Sequence, residues 1–529
     1  MSMLLVLSSC TDDLNVTPED DDELLAEEFY SRPGAYRNAM AGVYGNLAVT
    51  GSGDAGSSNI AGLDPGTSQY GRCLWYLQCL ATDEAIWSYE ADPGVREIQR
   101  GIWTSSNPVF QGMFSRAMFE VTLVNEFLRQ SAPEKLAARG VTGDYLAEIP
   151  QFRAEARLMR ALAYYHLMDL FGKAPFVTEN DPVGVTFKGP EYNRQQLFDF
   201  IEDEITAIMP ELLPAHSAAT NPNLYGRADQ GVAMMILAKI YLNAQVYTGQ
   251  PRYDDCRVMC ENIIAAGYTL ANNYLNNFNA DNNSNEARNE IIFALQSDGN
   301  ATQAYGPTTV MINGSIGSLE ANGTALGVGA TGWGGAIRVR SQFSQKFAGS
   351  AFANDERNTL IGAGRTINVT DIDDKATGFI VEKYSNRSST GVAGSNSTFV
   401  DTDFPLFRLA DVYLMYAECV LRGGGGDAGL ALTYINDLRE RANNGTSANI
   451  VAGQLTLDFI LDERARELYW ESHRRQDLIR FNRFTGGTYN WDWKGNAVNG
   501  ASIPTHFNVY PLPLNSLFAN TNLIQNPNY

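Results

Sequence analysis

Histidine is scarce in this chain: His166, His216, His473 and His506 are the only four among 529 residues. None pairs at metal-ligand spacing and there is no His-Glu-x-x-His, so a zinc-hydrolase centre of that type is excluded. No Gly-x-Ser-x-Gly elbow precedes a helix and no P-loop occurs, which removes two further catalytic signatures. Basic residues are outnumbered, with 39 Lys and Arg against 60 Asp and Glu, for a net charge of −21. A phosphate backbone needs a basic footprint, so nucleic acid is excluded as a partner. Docking by charge on acidic lipid is excluded on the same ground. A neutral ligand such as a glycan fits better. Cysteine is sparse too, at Cys10, Cys73, Cys79, Cys256, Cys260 and Cys419. Cys256 and Cys260 share a helix face but lack a second ligand pair, which favours buried thiols over a zinc site. Cys73 and Cys79 leave a disulfide open if the chain is exported.

Aromatic residues, in contrast, are generous: 25 Tyr, 25 Phe and 7 Trp make 11 % of the chain. Tyr and Trp serve binding surfaces as well as cores. Hydrophobic residues reach 44 %, enough for a packed core over two to four domains or one large helical solenoid.

The chain opens "MSMLLVLSSCTDD". Leu-Ser-Ser-Cys resembles a bacterial lipobox, which makes residues 1–9 a short signal peptide, truncated at its start, and Cys10 the lipidated first residue. Residues 10–30 follow as a polar, acidic surface tether. No later stretch reaches the roughly 18 apolar residues that span a bilayer, so the expected state is anchored, not spanning.

Helical periodicity dominates much of the rest. Segments 152–172, 194–212, 226–249 and 253–267 repeat apolar residues at helical spacing, and Gly172 reads as a stop signal. Segments 409–424 and 428–443 form a further pair, and 457–484 reads as a last long helix. Paired helices with small residues at their crossings, such as Ala238 and Ala417, predict a mainly α fold on a tetratricopeptide-like scaffold. Between them, residues 298–408 are rich in Gly, Ser, Asn and Thr, and predict an inserted loop-rich lobe with a few short strands. Residues 31–297 and 409–529 then form the helical regions on either side.

Candidate sites are few. In "TDEAIWSYEADP" (82–93), an extended backbone would turn Trp87 and Tyr89 to one side amid Asp83, Glu84, Glu90 and Asp92. They are either core or an exposed aromatic platform. Asp401 and Asp403, with Asp281 from afar, could supply oxygens to a structural calcium, against the alternative of a solvated turn. Glu467, Glu471 and Arg475 stand at i,i+4 spacing and read as a salt-bridged structural face. Carboxylates are plentiful, but no constellation singles out a glycosidase pair.

Four stretches stand out together: "ERARELYWESHRRQDLIRFNRFTGG", "NVYPLPLNSLFANTNLIQNPNY", "EARLMRALAYYHLMDLFGKAPF" and "GRADQGVAMMILAKIYLNAQVYTG". In combination they resemble the SusD/RagB family of outer-membrane lipoproteins. The resemblance implies a lipid-anchored protein of the outer membrane, at the cell surface, that captures nutrient oligomers without cleaving them. It implies delivery to a SusC-like TonB-dependent transporter, and no required cofactor. "DTDFPLFRLADVYLMYAE", "YNWDWKGNAVNGAS" and "NAQVYTGQPRY" are similar to starch-binding members. That similarity implies an α-glucan ligand held in an aromatic arc of Trp87, Tyr89, Tyr305 and Trp333. Asp64, Arg72 and Asp92 are its implied polar partners. Tyr89 stands where those members have Trp, and Asp92 where they have Asn. Another ligand, such as fructan, a different oligosaccharide or peptides, is the alternative. Outside the family, an enzyme would need a carboxylate pair facing a cleft. A purely structural adaptor would leave Trp87, Tyr305 and Trp333 scattered.

Overall fold

The computed structural model describes residues 26–184, 186–315 and 328–529, so the lipidation expectation at Cys10 lies outside the described residues. The fold is mainly helical, as its periodicity predicts. Helix Gly143–Phe171 packs on Pro108–Gln130 and Arg194–Ile208, and Gln230–Leu242 packs on Tyr253–Ala265. Tyr253–Ala265 in turn meets Leu409–Leu421, which meets Ala428–Asn443. One continuous hydrophobic core runs through this stack. No helix among the described residues is long and apolar enough to cross a membrane.

Local chemistry sets the helix ends. The Asn193 side chain accepts from the Gln196 amide while Gln196 reaches back, a capping box. Asp229 and Asp427 cap their helices through the following amides, and Gly172 closes its helix in the left-handed region. Helix Pro108–Gln130 has a legible start, with Asn107 as cap and Pro108 in the first turn, and lies in the expected helical region 31–297 although it is not among the segments singled out there. Helix Gly143–Phe171 begins well before the expected residue 152, because Pro150 is accommodated inside it.

Short two-stranded ladders fasten the loop-rich lobe. Strands β4 (Ile291–Leu295) and β8 (Phe404–Arg408) pair antiparallel and close its base. β1 (Ile86–Trp87) pairs with β5 (Ile337–Arg338), stitching the lobe to the N-terminal region. β6 (Leu360–Ile361) pairs with β7 (Ile380–Val381) inside the lobe, and β2 (Lys173–Pro175) with β3 (Glu191–Asn193) outside it.

The expected long helix over 457–484 is two helices, Leu457–Leu468 and Arg474–Arg480. Trp470 and Ser472 adopt positive φ between them. Left-handed backbone at such residues costs on the order of 1–3 kcal/mol each, and long-range bonds offset it. The Trp470 amide donates to Glu84 Oε2 at 3.1 Å and its indole N–H to the Glu84 carbonyl at 2.9 Å. Lys383 Nζ donates to the Tyr469 carbonyl and to Glu471, each at 2.6 Å.

Glu467, Glu471 and Arg475 consequently do not form a helix-surface ladder. Glu467 is fully buried and bonds Arg357, Arg408 and Arg441. Glu471 bonds Lys383 and Arg408, while Arg475 stacks over Tyr510 at 4.1 Å. Asp83 and Glu84 belong to the same buried framework, with Asp83 held in two bonds by Arg474 at 2.7 and 2.8 Å.

The three aspartates of the calcium expectation do not assemble, and no acidic, histidine or cysteine cluster able to hold a metal occurs among the described residues. Asp281 accepts from the amide and hydroxyl of Ser389, and Asp401 from Gly299 and Ser395. Asp403 is neither a ligand nor a solvated turn. It is buried, accepts from the Ser297 amide at 2.7 Å, and burial pushes its carboxyl up to about 7. All five described cysteines are free and buried, Cys73 and Cys79 included.

Two predictions follow from the buried charges. Replacing Glu467 by Gln leaves guanidinium groups without their counter-charge and should cost about 3–5 kcal/mol in urea unfolding. A loss below about 1 kcal/mol, the range of a surface pair, would contradict the network's role. Burial alone would raise Asp83, Glu418 and Glu463, but their guanidinium partners outweigh it and hold each at about 2, against ordinary values of 3.8 and 4.5. The unfolded chain therefore binds more protons across that window. The stabilisation is complete above it and is lost as pH falls through it. The thermal midpoint should drop between about pH 5 and about pH 3; an unchanged midpoint would contradict this.

Candidate functional site

Strand β1 pairs with β5 over two residues and ends at Trp87. The Gln99 side chain completes the strand: it accepts from the Trp87 amide at 2.8 Å and donates to the Trp87 carbonyl at 3.1 Å. Behind Trp87 stand Trp75 and Tyr76, with ring centroids 6.3 and 5.6 Å away. Trp87 is 1 % exposed, so it is a core residue, and it is also a wall of an open cavity of about 350 Å³. The question of core or platform at Trp87 is thus answered by both.

The second aromatic wall comes from the lobe. The amide of Trp333 donates to the Asn313 carbonyl at 2.6 Å, and that of Gly332 to the Asn313 side chain at 3.0 Å. Gly332, Gly334 and Gly335 all have positive φ, which turns the backbone tightly around Trp333 without a Cβ penalty. Trp333 is half-buried, its ring 6.1 Å from that of Trp87 and tilted 35° to it. Two large rings at that tilt form a curved surface. Tyr89, 38 % exposed, and Tyr305, whose ring meets Phe399 edge-on at 5.3 Å, line the same cavity.

The polar groups line the same cavity as the rings. Arg72 is only 5 % exposed and is positioned by Tyr76, whose hydroxyl accepts from Nε at 2.8 Å, and by the Gly66 carbonyl. Its guanidinium lies over the Trp87 ring at 5.5 Å, and its Nη2 has no partner among the described residues. Asp64 folds its own turn by accepting from the Thr67 amide and hydroxyl through Oδ1, which leaves Oδ2 without a partner among the described residues. Burial raises the Asp92 carboxyl, Arg72 pulls it back, and Asp64 adds to the rise. Glu90, by contrast, is spent on Arg100 and Gln99.

All seven residues named from the sequence, Asp64, Arg72, Trp87, Tyr89, Asp92, Tyr305 and Trp333, therefore line one cavity. Gln99 and Asn313, which fix its two walls, were not anticipated; only the folded pairing of distant segments reveals them. The cavity offers flat apolar faces, two carboxylates and one guanidinium. Such a surface can cover the C–H face of a sugar ring and bond its hydroxyl rim.

Comparison with known proteins agrees with this architecture. The SusD_RagB family model, the SusD family, matches residues 264–529. The chain is 33 % identical over 571 aligned positions to the starch-binding protein SusD of Bacteroides thetaiotaomicron, covering 99 % of this chain and 96 % of that protein. It is 28 % identical to SusD-like protein P25 of Formosa agariphila, covering 70 % of this chain and 71 % of the other. Among solved structures, surface glycan-binding protein A of Bacteroides thetaiotaomicron in complex with laminarihexaose superposes with a TM-score of 0.67 at 19 % identity, covering 93 % and 98 %. A SusD superfamily protein of Bacteroides vulgatus gives 0.69 at 18 %, covering 93 % and 98 %. Similarity across nearly the whole length of a relative, with the family model spanning the C-terminal half, places the chain in the SusD family.

Proposed function

We propose that this protein captures α-glucan oligosaccharides at the cell surface and passes them to a SusC-like TonB-dependent transporter. The observation that carries the proposal is the convergence of four aromatic and three polar side chains on one open cavity. A purely structural adaptor has no need of that convergence. The tilt between Trp87 and Trp333 favours a ligand that curves, as an α-1,4 glucan does, because it touches successive rings without distortion. Asp64, Arg72 and Asp92 bond hydroxyls in this proposal, and none serves as an acid or base. The whole-length similarity to a starch-binding protein favours the same ligand class. Lipidation at Cys10 holds the protein on the outer membrane in this scheme, with the polar segment after it as a tether.

Calorimetry with maltoheptaose, laminarihexaose, fructan and xylan oligomers tests the ligand. Heat of binding with the α-glucan is expected; binding of fructan or xylan with no heat from any α-glucan would overturn the assignment. Trp333→Ala should weaken binding about tenfold, a loss of about 1.4 kcal/mol, with unchanged thermal stability. Unchanged affinity would remove Trp333 from the site. For the partner, a TonB-dependent transporter should co-purify from native outer membrane in mild detergent, and its absence would count against the transport role.

A further inference from the structure

Tyr89 carries a hydroxyl that a Trp at the same position would lack, and the structure has a use for it. Lys375 Nζ donates to Tyr89 Oη at 2.6 Å and to the Trp333 carbonyl at 3.2 Å. Tyr89 Oη in turn donates to the same carbonyl at 3.3 Å. The ammonium also lies 4.3 Å from the centre of the Tyr89 ring. Three segments far apart in sequence thus close a ring of hydrogen bonds at the rim of the cavity.

The loop that delivers Lys375 is itself rigidly held. Arg338, which ends β5, is fully buried and has no carboxylate ion pair among the described residues. It donates instead to the carbonyls of Ile372, Asp374 and Thr377. Arg365 donates to the carbonyls of Lys375 and Gly378, and the Trp493 indole to that of Val369. Ile372 and Val369 pack with Ile86 of β1. The same β1–β5 ladder that places Trp87 therefore also fixes the backbone of Lys375.

We infer that Lys375 is a positioning residue for glycan binding: it locks the half-exposed Tyr89 against the Trp333 turn, so that the aromatic arc is set before ligand arrives. The inference rests on the glycan proposal above. A free tyrosine at the rim would have to surrender its rotamer freedom on binding, and the clamp removes that cost in advance. The bond between the hydroxyl and the lysine is the part of the clamp that both residues share, while each keeps its own bond to the Trp333 carbonyl. A Trp at position 89 would offer Lys375 no acceptor oxygen.

The test is a calorimetric cycle with maltoheptaose. Lys375→Met and Tyr89→Phe should each weaken binding, roughly two- to tenfold, the range for releasing one ordered side chain. The double variant should lose less than the two single losses combined, and Lys375→Arg should recover most of the affinity. In a Tyr89→Trp background, Lys375→Met should weaken binding less than it does with Tyr89 in place. A lysine bonding the sugar directly would instead weaken binding equally in that background, and this result would overturn the inference. So would full affinity of Lys375→Met in a protein that binds normally without the substitution. Absence of heat from the unsubstituted protein with every oligosaccharide is a different outcome, and it would overturn the glycan proposal and the inference together.

Discussion

Buried carboxylates impose the strictest constraint on this molecule. Glu290, Glu463, Glu467 and Glu471 have no route to water, and each must find guanidinium or ammonium partners from elsewhere in the chain. A buried ion is tolerated only when its partners are complete. Arg357 and Lys383 come from the lobe, Arg408 from the root of the lobe, and Arg441 from helix Ala428–Asn443. A single set of ion pairs therefore ties the loop-rich lobe to the C-terminal helices. Asp83 and Glu84 extend it to the N-terminal region through Arg474 and Trp470. Trp87 stands three residues beyond Glu84, so the first aromatic wall begins where the network ends.

This arrangement explains how a loop-rich lobe can present a set binding surface. Loops usually carry function because they tolerate variation, but they are also the more mobile parts of a fold. Here the lobe is closed at its base by β4 and β8, stitched to the N-terminal region by β1 and β5, and braced by buried Arg338. The aromatic faces are thus held in place without ligand. Asp64 and Arg72 are likewise fixed by their own local bonds. Binding by such a surface forfeits little conformational entropy, which suits capture of a flexible oligosaccharide.

Much of this was legible in the sequence, and the failures have physical causes. Helices such as Ala428–Asn443 are written in local periodicity and caps, and their boundaries hold within a few residues. The seven cavity residues were legible because resemblance to a family compares whole stretches, which periodicity cannot do. The break between Leu468 and Arg474 was not legible. Its cause is a set of bonds from Glu84 and Lys383, hundreds or tens of residues away, that overrides local helix propensity. The salt-bridged, structural reading of Glu467 and Glu471 holds, but their partners are Arg357, Lys383, Arg408 and Arg441 from other segments, which spacing along one helix could not show. Asp401 and Asp403 look like cation ligands in sequence, yet backbone amides of Gly299 and Ser395 take both Asp401 oxygens and that of Ser297 takes Asp403 Oδ1. Lys375 has no sequence signal at all, since only the β1–β5 pairing brings its loop to Tyr89.

If the converging rings form a preset glucan surface, a crystal structure of the protein soaked with maltoheptaose should show it. Glucose units are expected against Trp87, Tyr89, Tyr305 and Trp333, with hydroxyls bonded to Asp64, Arg72 or Asp92 and the side chains in their ligand-free positions. Sugar bound at another surface, or an arc that rearranges to admit it, would refute a preset surface.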